Sequence, residues 1–351
     1  MKKILVVFTG GTICSIKDFD GKNQSDAKGV KSVLIDDYLS SNSPFKNAVK
    51  FSAEFLTPDI LSENMTVNTL TSILKILKKK SVWKNFDGVI ILHGTDTLAY
   101  TTAILSIALA GAPIPIITVS ANYPLLIDGK KNLDTNGYAN FRSSVELILN
   151  GIKPNVYSVY RNDDNKTYIH YGANLVQCQN YDNNFYSFGA TVLDDKNAIF
   201  DGKEFETDSF YIKDINKLKD GVLLISPYTG LDYLKISLKG VRAIVHKTYH
   251  AETVCVEIKD KDQKYGKYSI LSLLDRAKEK NVPVFLTPCD QNSYAYQSTS
   301  FAIDRGATPI FGATSEVIYA KTLIGVSLKL RGDNLIEFVK NSVNHEFARK
   351  K

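Results

Sequence analysis

Apolar residues come in short blocks along this chain, and the first, Ile4 to Phe8, stops abruptly at Thr9-Gly10-Gly11-Thr12. The block predicts a buried strand over 4–8. The two glycines predict a tight turn after it, because glycine accepts positive φ and close backbone approach. A second block, inside DGVIILHGTDT, predicts a strand over 88–92 that ends on His93-Gly94-Thr95-Asp96-Thr97. Between the two, Leu70, Ile73, Leu74 and Leu77 recur at helical spacing and predict a helix over 67–79. The most apolar stretch, 101–117, is cut by Gly111 and Pro113, which predicts a helix over 98–109 and a strand over 114–119. A helix is expected over 140–149, then a hairpin, since alternating runs at 156–160 and 167–170 flank Asn162-Asp163-Asp164-Asn165. From Lys217 the rhythm restarts, with strands over 221–225, 241–245 and 282–287 and helices over 228–238, 269–280, 296–304 and 315–324. Residues 15–29, rich in Lys, Asp, Asn and Gly, predict instead a long surface loop, a form common to lids and binding loops.

Alternating strands and helices predict an α/β fold with parallel, Rossmann-like sheets and helices on both faces. At ~150 residues per domain, the 351 residues suggest two domains. We expect a larger N-terminal domain over 1–200, including the hairpin, a charged linker over 201–214 and a smaller C-terminal domain over 215–351. The formal net charge is +6, spread along the chain, and its densest cluster, Lys78-Lys79-Lys80, reads as the solvated end of a helix. No nucleic-acid-binding motif accompanies the charge, so no nucleic-acid partner is expected. No apolar run reaches the ~18 residues of a membrane span. The start, Met-Lys-Lys and a short apolar stretch without a small-residue cleavage site, is expected to be a first strand and not a secretion signal. Four cysteines (14, 178, 255 and 289) form no CxxC pair and no metal-ligand spacing with histidine, so they read as reduced thiols.

Chemistry concentrates at the two Gly-Thr turns. In open α/β sheets ligands bind at the carboxyl ends of the strands, and both turns fall there. A threonine hydroxyl is a weak nucleophile that needs a base. Thr95 and Asp96 place a hydroxyl and a carboxylate on one turn, whose backbone N–H groups suit an oxyanion. Thr12, Thr95 and Asp96 also have a purely structural reading, as helix caps. His93 is expected to orient its turn. His246 and His250 lie four apart but at a strand end, which does not suit a metal pair, and Gly10-Gly11 is not part of a G-x-G-x-x-G dinucleotide fingerprint.

Taken together, TGGTI and ILHGTDT resemble the two signatures of the bacterial-type L-asparaginase family. LSENMT (61–66) looks like that family's substrate-carboxylate segment, and HGTDTLAYTTAILSIAL is similar to its cytosolic type I branch. ITVSANYPL, DTNGYANF, the spacing from Tyr296 to Gly306, and GATSEVIYAKTLIGV extend the resemblance over nearly the whole chain. It implies a cytoplasmic amidohydrolase acting on L-asparagine, without metal or organic cofactor, as a homodimer or homotetramer. Thr12 would attack the side-chain amide carbon, and the N–H of Gly11 or Thr95 would hold the oxyanion beside Gly94. Thr95 would be the second essential hydroxyl, Asp96 its neighbour and a ligand for the substrate's amino group. Ser62 would bind the α-carboxylate and Glu63 the α-amino group.

Two departures from the family pattern stand out. The family has a lysine after the hairpin that completes a Thr-Lys-Asp relay. Here the run reads Asn174-Leu175-Val176-Gln177-Cys178, which puts Cys178 at that position, or Gln177 or Gln179 after a one-residue slip. The family's loop tyrosine is also missing. Between Cys14 and Asp37 only Phe19 is aromatic, and Tyr296 is the substitute that spacing offers. Alternatives to the hydrolase are therefore a weakened site that binds or senses Asn or Asp, and an amidase for another amide. A tRNA-amidotransferase role is not expected, since those relatives carry an additional N-terminal domain.

Overall fold

A computed structural model describes residues 1–17, 20–193, 211–257, 265–290 and 296–348. Two compact units divide at Lys217 and Leu218. Most of the expected linker, 201–214, lies outside the described residues, as does Phe19. No helix among the described residues is long and apolar enough to cross a membrane.

The first unit runs β1 (Lys2–Gly10), β2 (Ser15–Lys17), β3 (Asn23–Ser25), α1 (Ala27–Ser40), β4 (Val49–Ile60), α2 (Val67–Leu77), α3 (Lys80–Asn85) and β5 (Gly88–Leu92). It continues with α4 (Leu98–Ala108), β6 (Ile116–Val119), β7 (Leu126–Ile127), β8 (Lys130–Lys131), α5 (Gly137–Leu149), β9 (Val156–Arg161), β10 (Thr167–Tyr171), β11 (Leu175–Val176), β12 (Tyr186–Ser187) and β13 (Thr191–Val192). Its main sheet has the order β13-β10-β9-β6-β5-β1-β4. Neighbours from β9 to β4 are parallel, and β9 and β10 form the expected antiparallel hairpin. Strands β1, β5 and β6 are buried throughout their central residues, the pattern of a parallel sheet covered on both faces. The expected helix face of α2 is the one that packs: Leu70, Ile73, Leu74 and Leu77 are all buried.

The second unit contains β14 (Val222–Ile225), β15 (Ala243–Lys247), α6 (Ile270–Glu279), β16 (Val284–Cys289), α7 (Gln297–Asp304), β17 (Ala307–Phe311), α8 (Ser315–Ser327) and α9 (Gly332–Lys340). Its parallel sheet has the order β14-β15-β16-β17.

Three differences from the hydropathy reading have physical causes. The pattern assigns no element to residues 30–60, where the structure has most of α1 and all of β4. α1 buries Ala27, Val30, Leu34 and Tyr38 at helical spacing, but Lys28, Gly29, Lys31 and Ser32 dilute that signal. β4 is an edge strand, mostly half-buried and carrying Pro58, which weakens any strand pattern. The stretch expected as a loop over 15–29 is instead the β2–β3 hairpin, joined to β7 and β8, followed by the start of α1. The helix expected over 228–238 is a single 3-10 turn, Tyr233–Lys235. Gly230 before it has φ 87°, and Tyr233 and Leu238 reach the core from irregular backbone.

Three histidines are fully buried, and burial pushes His93 down to about 4, His170 to about 3 and His246 to about 4. Unfolded histidine titrates near 6.5. Between the two values the unfolded chain binds more protons, so the stability present above about pH 6.5 is lost as pH falls toward 4. We expect urea midpoints to drop steeply across that window, and His170→Asn to flatten the slope for the first unit.

Candidate active site

Strands β4, β1 and β5 are parallel neighbours, so their carboxyl ends open on one edge of the sheet. The chain leaves β1 for β4 on one side and returns to β5 on the other. This reversal is a topological switch point, the place where open α/β sheets bind ligands. It also collects Ser62, Thr12 and Thr95 from segments far apart in sequence.

The two glycine turns meet here backbone to backbone. A Cβ added to Gly11, which has φ 76°, would lie 2.2 Å from Gly94 N and 2.3 Å from Gly94 Cα. One added to Gly10 would lie 2.0 Å from Ile60 O, and one on Gly94 would meet Ser62 Oγ at 2.4 Å. No side chain fits between these strands' ends, which is why both turns use glycine. Gly11 N donates to Ile60 O at 2.7 Å, and Thr9 Oγ1 donates to Leu92 O at 2.7 Å. These bonds tie β1 to both neighbours and commit the Thr9 hydroxyl to structure.

Thr12 opens a 3-10 turn, Thr12–Cys14, closed by bonds from Cys14 N (2.9 Å) and Ser15 Oγ (2.8 Å) to Gly11 O. Its own side chain is partly exposed and has no hydrogen-bond partner among the described residues, and the same holds for the Thr95 hydroxyl. Thr12 is therefore not a cap, and neither is Thr95. Ser62 begins the turn Ser62–Asn64 after β4 and is buried. Its Oγ donates to Asp96 Oδ2 at 3.0 Å and accepts from Asp96 N at 3.2 Å, while its carbonyl accepts from Thr97 Oγ1 at 2.9 Å. Asp96 and Glu63 are exposed. His93 Nδ1 lies 2.7 Å from the carbonyl of Gly94, which can only accept, so Nδ1 carries the proton and the ring is neutral. The ends of these strands thus carry two unengaged hydroxyls, Thr12 and Thr95, and two exposed carboxylates, Asp96 and Glu63, while the Gly11 N–H is already spent on Ile60 O.

The family profile described as "Asparaginase, N-terminal" matches residues 3–192, more than half of the chain. The chain belongs to the asparaginase family. An L-asparaginase from Thermococcus kodakarensis is 28% identical over 197 residues, 54% of this chain and 55% of the relative. An L-asparaginase 1 from Escherichia coli is 31% identical over 136 residues, 38% of this chain and 38% of that one. The matched stretch therefore spans about half or less of these relatives' length. The solved structure of the thermostable L-asparaginase from Thermococcus kodakarensis superposes with a TM-score of 0.71 at 20% identity, covering 99% of this chain and 100% of that one, and shows the shared two-domain α/β fold.

The post-hairpin segment carries the residues expected at or next to the relay lysine's position. Cys178, expected at the relay lysine's position, is half-buried against a cluster of Leu98, Ala99, Tyr160, Leu175 and Phe185. Burial pushes its thiol up, and the charges of Asp96 and Asp182 push the same way, so it stays protonated near neutrality and is a poor base. Neither Thr95 nor Asp96 bonds to a lysine among the described residues. Gln177, a candidate for the lysine's position only after a one-residue slip, makes the direct contact with the Thr95 turn: its Nε2 donates to Thr95 O at 2.8 Å. Tyr296 lies in the second unit at the flank of α7 and is 50% exposed. No group of three or more His, Cys, Asp or Glu able to hold a metal occurs among the described residues.

Proposed function

We propose that this asparaginase-family chain is an amidohydrolase that converts L-asparagine to L-aspartate and ammonia. The observation that carries this reading is the approach of Gly11 to Gly94, which leaves the hydroxyls of Thr12 and Thr95 unengaged at one sheet edge. Thr12 Oγ attacks the amide carbon, the C–N bond breaks with loss of ammonia, and water cleaves the resulting ester. The N–H of Thr95 stabilises the oxygen that becomes negative; the Gly11 N–H, also expected for that role, is spent on Ile60 O at 2.7 Å and so does not serve it. Asp96 and Glu63 supply negative charge for the substrate's ammonium, and Ser62 and its turn receive the α-carboxylate. On the resemblance, the assembly is a homodimer or homotetramer in the cytoplasm. The test is ammonia release from millimolar L-asparagine, L-glutamine and D-asparagine. Release from L-asparagine well above the other two is the expected result, and none from any of them removes the proposal.

A second reading rests on the protonated thiol of Cys178, within the electrostatic reach of Asp96, at the position where the resemblance expects a lysine. The site then binds Asn or Asp and turns over slowly. Restoring a positioned acid–base group is worth typically ~10²–10⁴-fold. If this reading holds, Cys178→Lys raises kcat by at least about 10²-fold. If kcat is unchanged, other groups already perform the proton transfer.

A further inference from the structure

We infer that Gln177 is the positioning residue for Thr95, clamping its turn to the first turn of α4. This inference rests on the reading of Thr95 as part of an amide-hydrolysing site. A helix start leaves N–H groups without intrahelical acceptors, and a side chain at the N-cap normally accepts one of them. At α4 that arrangement fails. Thr97 is the N-cap residue but makes no capping bond, because its Oγ1 donates to Ser62 O at 2.9 Å. α4 is buried along ten of its residues, so water does not substitute.

Gln177 fills the gap from a distant segment. Its Oε1 accepts from Ala99 N at 3.1 Å, and its Nε2 donates to Thr95 O at 2.8 Å. Both ends of one amide are therefore used across one turn, acceptor to the helix and donor to the loop. A primary amide offers that pair at this length at any pH, whereas a carboxyl offers it only when protonated. The segment carrying it is held firmly. Leu175 is fully buried, β11 pairs with β12, and Leu175, Phe185 and Cys178 pack on Leu98 and Ala99. With its carbonyl held this way, Thr95 keeps its hydroxyl free and aimed by the backbone alone. The post-hairpin segment therefore acts on Thr95 by fixing its geometry, whatever group moves the proton.

The experiment compares Gln177→Leu and Gln177→Glu with the wild-type chain by steady-state ammonia release and by amide hydrogen exchange at Ala99. Misplacing a reacting group by about 1 Å costs on the order of 10²-fold. We expect Gln177→Leu to lower kcat by about that factor with KM changed less than about threefold, and to speed Ala99 exchange by at least about tenfold. Gln177→Glu keeps the acceptor but loses the donor while ionised. Relative to wild type its kcat should rise as pH falls and the carboxyl regains a proton to donate to Thr95 O, a recovery that a merely structural role does not give. A Gln177→Leu kcat within about twofold of wild type, or unchanged Ala99 exchange, overturns the inference. If the wild-type chain itself releases no ammonia while Ala99 exchange still depends on Gln177, the hydrolase reading has failed and the clamp stands.

Discussion

Thr12→Ala is expected to lower ammonia release from L-asparagine by at least about 10⁴-fold, in line with the loss of a nucleophile that has no substitute. The same variant should keep its stability within about 0.5 kcal/mol, because Thr12 is partly exposed and its hydroxyl bonds to nothing among the described residues. Thr9→Ala is the matched control. Thr9 is buried and its hydroxyl is spent on Leu92 O, so its loss costs about 1 kcal/mol of stability and leaves the reacting atoms in place. Activity lost in the first variant and kept in the second assigns the chemistry to Thr12. Ammonia release at the wild-type rate in Thr12→Ala removes it from that role, and with it the ester intermediate.

The second large effect is on stability and lies away from the site. Lys321 on α8 and Glu346 form an ion pair at 2.5 Å, and both side chains are fully buried. Lys321 also donates to Asn341 O, while Glu346 accepts from Val343 N at 2.9 Å and Asn344 N at 2.7 Å. The pair pins the segment after α9 to the second unit's interior. Glu346→Leu leaves an ammonium buried without its counter-charge and should cost about 3–5 kcal/mol. The double variant Lys321→Met/Glu346→Leu removes both charges and should recover part of that loss, since the uncompensated charge is gone while Val343 N and Asn344 N still lack their acceptor. Urea unfolding of the three chains decides it. A single variant as stable as wild type means that solvent reaches Lys321 when its partner is gone.

Much of the fold could be read from the chain because the buried strands announce themselves. Ile4 to Phe8 and 88–92 are unbroken apolar runs, and both are central strands in the structure. The Gly-Thr turns after them mark the candidate catalytic edge from the sequence alone. β4 was not readable for the opposite reason: an edge strand is only half covered, so its residues need not be apolar. Yet β4 is what delivers Ser62 to Asp96.

The sequence by itself determined the α/β class, the two glycine turns and the membership in the asparaginase family, since each depends on residues adjacent in the chain. Only the tertiary structure decided which hydroxyls are free. Thr9 and Thr12 are three residues apart and chemically identical, but one is bonded across to β5 and the other is not. It also decided that Gln177, not the thiol beside it, holds the Thr95 turn. Both facts depend on partners more than eighty residues away in sequence, brought within bonding distance by parallel strand pairing and the packing of β11 on α4. No local pattern encodes such contacts, because their energy belongs to the assembled sheet edge and not to either segment alone.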